Sequence, residues 1–352
     1  MKTLQCVSGR IACGVSAFVV ASLAVLIQIA PAHAVTIDWV TVGDPGNTAD
    51  TTTYGAVADA FQIMKFEFQN SQYADFLNAV DPNGTNPNSV YNEFMGSNAR
   101  GGISFISGAA SGSKYAVKSN MGDKPVNFVN WFDAARVANW LQNGQGSGST
   151  ETGAYTLVGG QTSGTAPAVN SGASYFLPTE DQWYKAAYYK GGSTNAGYWD
   201  YATQSDTQPF DVLATTIGTG TRFGVSPVTS GNFVNHKSAA SWNGQTGNVT
   251  TVGTNGGASA YGAFDMGGNV GELNDLSGAA SSTHGTRGGS WVDQFPATSS
   301  NRATISPLIE ATTIGFRLAS PVAVPEPSTW VMGLAGMACG GWQMVRRRRK
   351  RS

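Results

Sequence analysis

Residues 261–273 read Tyr261-Gly262-Ala263-Phe264-Asp265-Met266-Gly267-Gly268-Asn269-Val270-Gly271-Glu272-Leu273. Glycines this dense exclude a stable helix or a regular strand interior, since each costs about 0.5–1 kcal/mol there relative to alanine. A backbone that bends here can turn its carbonyls and the carboxylates of Asp265 and Glu272 toward one point, with the Asn269 amide between them. Hard cations such as calcium are held in that way. An irregular loop with solvated acids satisfies the same pattern, because calcium loops outside the EF-hand have no unique spacing.

The rest of the chain shares this character. Across 352 residues there are 45 glycines and only 12% charged side chains, which indicates a loop-rich fold rather than a helical bundle. The length suits one large or two ordinary domains.

Both ends read as addresses. Lys2 and Arg10 precede an apolar run over 11–29, and Ala32-His33-Ala34 has small residues where signal peptidase cuts, so 1–34 is expected to be a signal peptide. An uncleaved anchor helix is the alternative. At the other end Val324-Pro325-Glu326-Pro327 leads to an apolar stretch over 330–345 and then to Arg346-Arg347-Arg348-Arg349-Lys350-Arg351. Residues 321–352 resemble the PEP-CTERM sorting signal of Gram-negative bacteria. That resemblance implies exosortase as a processing enzyme and delivery to the cell envelope or extracellular matrix. The apolar stretch can engage the membrane before processing, and the basic run would hold its end in the cytoplasm.

Without these addresses the electrostatics change. The whole chain has 21 basic and 22 acidic residues; removing Lys2, Arg10 and the six tail cations leaves 13 against 22, or −9. Such a charge repels phosphate backbones, which argues against a nucleic-acid partner. Cys6, Cys13 and Cys339 all fall in the terminal segments, so the exported part contains neither a disulfide nor a catalytic thiol.

Within 35–320, residues 35–42 and 61–68 alternate as strands do. A helix is expected over 71–80, capped by Asn70 or Ser71, with Tyr73, Phe76, Leu77 and Val80 on one face. A second follows Asn130, carries Ala134, Val137, Ala138 and Leu141 inward, and stops at Asn143-Gly144. Trp131 and Trp140 read as core or as walls of a ligand groove. A third opens at Pro178-Thr179, where Thr179 and Gln182 have capping-box spacing. Residues 81–122 read as surface excursions, 144–172 as a loop too polar to pack, and 193–260 as irregular.

Five blocks then stand in a telling order: Pro125-Val126-Asn127-Phe128-Val129-Asn130-Trp131, Leu177-Pro178-Thr179-Glu180-Asp181-Gln182-Trp183, the 261–273 stretch, Arg287-Gly288-Gly289-Ser290-Trp291, and Ile314-Gly315-Phe316-Arg317-Leu318. Together they resemble the sulfatase-modifying-factor domain, the family of the formylglycine-generating enzymes. The resemblance runs from about Ile63 to Leu318. It implies an irregular α+β fold, related to C-type lectins, with three short helices and small antiparallel sheets. It also implies a calcium site with side-chain oxygens from Asp265 and Glu272 and backbone carbonyls from Gly268 and Val270. A second calcium site around Asn232-Phe233 and 242–248 lacks a clear aspartate.

Catalytic members of this family bind copper through two cysteines that follow the arginine-glycine-glycine-serine block. Here Asp293 and Ser300 stand at those positions, and oxygen ligands do not supply the soft thiolate pair that Cu(I) requires. Gly271 and Leu273 replace two family tryptophans, while the pocket residue Ser290 is retained. His236 and His284, the two histidines of the exported part, lack the paired spacing of a non-haem iron site. The reading is a non-catalytic, calcium-stabilised binding or matrix protein, with a polysaccharide or surface protein as partner. The alternative is an oxidoreductase with a different metal centre, for which Asp293, Ser300, His284 and Ser290 are the nearest candidates.

Overall fold

The computed structural model describes residues 34–158 and 160–322. Residues 1–33 and 323–352, nearly all of the two address segments, lie outside the described residues. Among the latter no helix is long and apolar enough to cross a membrane.

The chain opens with strands β1 (Trp39–Val42) and β2 (Phe61–Met64), then helices α1 (Asn70–Val80) and α2 (Phe94–Ser97). Strands β3 (Ile103–Phe105) and β4 (Tyr115–Val117) precede α3 (Trp131–Gln142) and α4 (Glu180–Tyr188). A run of two-residue strands follows: β5 (Phe210–Asp211), β6 (Leu213–Ala214), β7 (Gly220–Thr221) and β8 (Phe233–Val234). The last are β9 (Gly271–Asn274), β10 (His284–Arg287), β11 (Ala303–Ile305), β12 (Ile314–Gly315) and β13 (Ala319–Pro321). Four helices, one more than expected, and small sheets joined by long loops make the irregular α+β architecture that the sequence leads one to expect, although β9–β12 and β5–β8 pair in parallel where antiparallel sheets were expected.

Two sheets frame the molecule. The first is three-stranded, in the order β1-β2-β13, and joins the start of the domain to its end, with Ile63 opposite Val40 on one side and Ala319 on the other. The second has the order β11-β10-β9-β12 and places Glu272 opposite Arg287. The main core lies against α1 and α3, where Tyr73, Phe76, Trp131 and Trp140 are buried. A second cluster forms around Trp183, Tyr184 and Tyr188 of α4. Both Trp131 and Trp140 are core side chains.

Capping explains where the helices start. On α3 the Asn130 side chain accepts from the Asp133 N–H at 3.1 Å while the Asp133 carboxylate accepts from the Asn130 N–H at 2.9 Å. Thr179 and Gln182 do the same for α4, satisfying donors that a helix leaves open. Helix α1 departs from expectation. Its N-cap is Gln69, because the Asn70 amide is turned inward and donates to the carbonyls of Met121, Lys124 and Pro125. The expected inward face of α1 holds at Tyr73, Phe76 and Leu77, with Val80 half-buried.

Two loop expectations need correction. Residues 81–122 form α2 and the β3–β4 hairpin, and they bury Val90, Met95, Ile103 and Tyr115. Residues 144–172 pack as well, burying Ala154, Tyr155, Leu157 and Ala166. Here the polar side chains hold the loop down. Arg136 on α3 donates to both carboxylate oxygens of Glu151 at 2.8 and 3.0 Å and to the Gln161 carbonyl at 2.8 Å, and Asn139 donates to the Thr150 carbonyl at 2.7 Å.

Candidate functional site

A cavity of about 520 Å³ opens where β10 runs into the 288–302 loop. Its lining includes Ser290, Asp293, Gln294, Phe295 and Arg302, with Gly271 and Ile314 of the neighbouring strands behind. The turn into it needs glycine. Gly288 and Gly289 have φ of +88° and +68°, and a Cβ on Gly289 would lie 3.0 Å from the Asp293 carboxylate and 3.1 Å from Ala297, a left-handed pair that side chains resist.

Two guanidiniums fix the cavity's frame. Arg287, at the end of β10, and Arg302 both bind the Glu180 carboxylate in the first turn of α4, each with Nε 2.8 Å from Oε1. Arg302 adds a second bond to Oε2 at 2.8 Å, and Arg287 also donates to the carbonyls of Ser299 and Asn301. Glu180 and Arg287 are buried. The cavity's charged groups are thus mostly committed to each other.

Ser290 and Asp293 meet in a tight local contact. The Asp293 carboxylate accepts from the Ser290 N–H at 2.6 Å and from its hydroxyl at 3.1 Å. Opposite, the Lys237 N–H donates to the Asp293 carbonyl and the Ser238 N–H to that of Trp291, so the segment is pinned from outside. His236 is buried beside it, and that burial holds its imidazole below the usual histidine range. It is therefore neutral near pH 7.

The other candidates lie elsewhere. The Ser300 hydroxyl bonds to Thr298 on the exposed loop and does not line the cavity. His284 is buried, stacked on Trp131 at 4.7 Å, with Nδ1 3.4 Å from an Asp275 oxygen. Of the four residues proposed for an alternative redox centre, Ser290 and Asp293 converge and the other two scatter. Arg302, Gln294 and Phe295 escaped the sequence reading as cavity residues, and Phe295 is 70% exposed.

A buried charge cluster forms around Glu272 of β9. Arg317 donates to both oxygens of Glu272 at 2.6 Å, and the Trp183 indole adds a third bond at 2.7 Å. Asp265 accepts from the Gly253 N–H and the Asn255 amide. Glu67, absent from the sequence-based site, completes the group. Its Oε2 accepts from Asn269 at 3.2 Å, and Oε1 has no partner among the described residues. Burial, then the charges of Asp265 and Glu272, push the Glu67 carboxyl well above the usual range, against the pull of Arg317. Burial raises Asp265 also.

Three carboxylates thus surround one guanidinium. Lone pairs remain on these carboxylates, but Glu272 is already bonded by Arg317 and Trp183 and Asp265 by Gly253 and Asn255, which leaves Glu67 Oε1 as the oxygen without a partner among the described residues. No three acidic or histidine side chains among the described residues are already grouped as a metal cage. Gly268, with φ of +76°, packs so closely on the Asn235 carbonyl that a Cβ would lie 2.3 Å from it. Neighbouring Val270 is buried.

Comparison with known proteins follows this geometry. Among curated proteins no sequence match is found. Among solved structures the chain is similar to the crystal structure of CarF, at 20% identity over 82% of this chain and 99% of that one, with a TM-score of 0.45. It is similar also to Treponema denticola variable protein 1, at 17% identity over 82% and 97%, TM-score 0.45. For PvdO from Pseudomonas aeruginosa the values are 19%, 81%, 92% and 0.38. The model of the sulfatase-modifying factor enzyme 1-like domain matches residues 40–322, most of the chain and all five sequence blocks. The chain belongs to the family of sulfatase-modifying factor enzyme 1-like domains.

Proposed function

We propose that this domain is a non-catalytic binding module, exported and held at the cell envelope or in the extracellular matrix, with the cavity beside Ser290 as its ligand site. The observation that carries this reading is the bonding of Asp293. At one position where catalytic relatives are expected to carry a copper-binding cysteine, the carboxylate is spent on the Ser290 N–H and hydroxyl. The second such position, Ser300, lies on the exposed loop outside the cavity lining. A polysaccharide or a neighbouring surface protein is the partner class that an acidic, exported domain suits.

Calcium enters this reading as a stabiliser. Asp265 and Glu272, with the carbonyls of Gly268 and Val270, would hold it, and its charge would offset the excess of buried carboxylate around Arg317. The catalytic question is tested by incubating the purified protein with a cysteine-containing peptide, Cu(I) and oxygen, and following the peptide by mass spectrometry. A peptide without the aldehyde is expected, as in a control without the protein. Conversion of its cysteine to an aldehyde would overturn the reading.

A further inference from the structure

A second cavity, of about 530 Å³, lies outside this site, between α2 and the β3–β4 hairpin. Three rings form its floor and wall. Tyr91, Phe105 and Tyr115 pack with centroid separations of 5.1 to 6.3 Å and mutual tilts of 46° to 52°.

The rings are fixed by polar bonds that leave their own polar atoms satisfied. The Tyr91 hydroxyl donates to the Ile103 carbonyl at 3.2 Å and accepts from the Phe105 N–H at 3.1 Å. Asn86 brackets the Tyr91 backbone, accepting from its N–H at 3.1 Å and donating to its carbonyl at 2.8 Å. The Tyr115 hydroxyl donates to Asp81. Two glycines make room for this arrangement. A Cβ on Gly84 would lie 2.3 Å from the Phe105 ring, and one on Gly96 would lie 2.7 Å from the Tyr91 hydroxyl.

What the cavity leaves open is distinct in kind. Phe105 is 41% exposed, Glu93 is exposed, and Ser97 and Ser104 also line the cavity, with the Ser97 hydroxyl donating to the Glu93 carbonyl at 3.0 Å. No Lys or Arg lines the cavity; the nearby Lys114 ammonium is turned away to the Ser107 carbonyl at 2.7 Å. An anionic ligand would meet Glu93, while the nearby Lys118 ammonium is committed to the carbonyls of Gly96 and Asn98 at 3.1 and 2.7 Å. A quaternary ammonium would want aromatic faces standing apart around it, and these rings pack on one another. A neutral polyol meets each feature: its C–H face covers an aromatic ring, and adjacent hydroxyls donate to one carboxylate and exchange bonds with serines. The volume falls within the range of small-molecule sites.

We infer that the Phe105–Glu93 cavity is a binding site for a neutral saccharide of one or two rings, separate from the Ser290 cavity. The test is saturation-transfer NMR on the purified protein, with maltose, cellobiose and N,N′-diacetylchitobiose as probes and tetramethylammonium as the cationic control. Transfer to at least one disaccharide is expected. Phe105→Leu, which keeps apolar packing but removes the ring, and Glu93→Gln, at an exposed position, should each weaken binding about tenfold. Val158→Ala, at an exposed position outside both cavities, should leave it unchanged, and because Phe105 and Glu93 lie outside the Ser290 cavity, failure here is separable from failure of the proposed function. The inference is overturned if no disaccharide binds, if binding survives both cavity variants, or if tetramethylammonium displaces the sugar.

Discussion

At the scale of single residues, Glu180 governs the frame of the principal cavity. One buried carboxylate binds both Arg287 and Arg302, and Arg287 lies 4.6 Å from the Tyr54 ring and 4.8 Å from that of Tyr184. Removing one member of such a group strands a buried charge, which costs about 3–5 kcal/mol. Glu180→Ala should therefore lower stability by that amount in a urea titration, whereas Arg302→Ala, at an exposed partner, should cost much less. Equal losses would show that the arrangement is an ordinary surface network. The sequence offered Glu180 only as a first-turn helix acid, although it stood inside a block that carried the family resemblance. Its second role depends on Arg287 and Arg302, more than a hundred residues away, which no local pattern reports.

At the scale of elements, what was legible followed from local chemistry. The starts of α3 and α4 were readable because Asn130 with Asp133, and Thr179 with Gln182, satisfy the helix ends within a few residues. The start of α1 was misread by one position because Asn70 is recruited by carbonyls some fifty residues on. The 144–172 segment was misread for a similar reason. Its polarity looked incompatible with packing, yet Arg136 and Asn139 on α3 supply the missing partners. The β3–β4 hairpin, three residues a side, was too short to show an alternating pattern. In the candidate site, Ser290 and Asp293 were readable because they share one turn. Glu67 was not, because it follows the end of β2 in a stretch whose alternation suggested an outward side chain, while the Arg317 cluster holds it fully buried.

At the scale of the whole molecule, the cluster around Arg317 links the two frame sheets to one charge balance. Glu272 belongs to β9, while Arg317 donates to the Met64 carbonyl at the end of β2. Because the carboxyls of Glu67 and Asp265 are raised in the folded state, that state binds more protons than the unfolded chain above the ordinary carboxylate range. Stability in a chelator should consequently fall as pH rises from about 5 toward each raised value, by up to about 1.4 kcal/mol per pH unit for each group. Added calcium should flatten that slope, and Glu67→Gln should reduce it without calcium. A thermal midpoint independent of pH in the chelator would contradict this account of the cluster.

The central claim, that the family's redox chemistry has no metal centre in this chain, is tested most directly by elemental analysis of the purified protein after dialysis against metal-free buffer. Copper and iron far below one atom per chain are expected, with calcium as the metal that remains. Copper or iron near one atom per chain would contradict the claim and return Ser290 and Asp293 to consideration as parts of a catalytic centre.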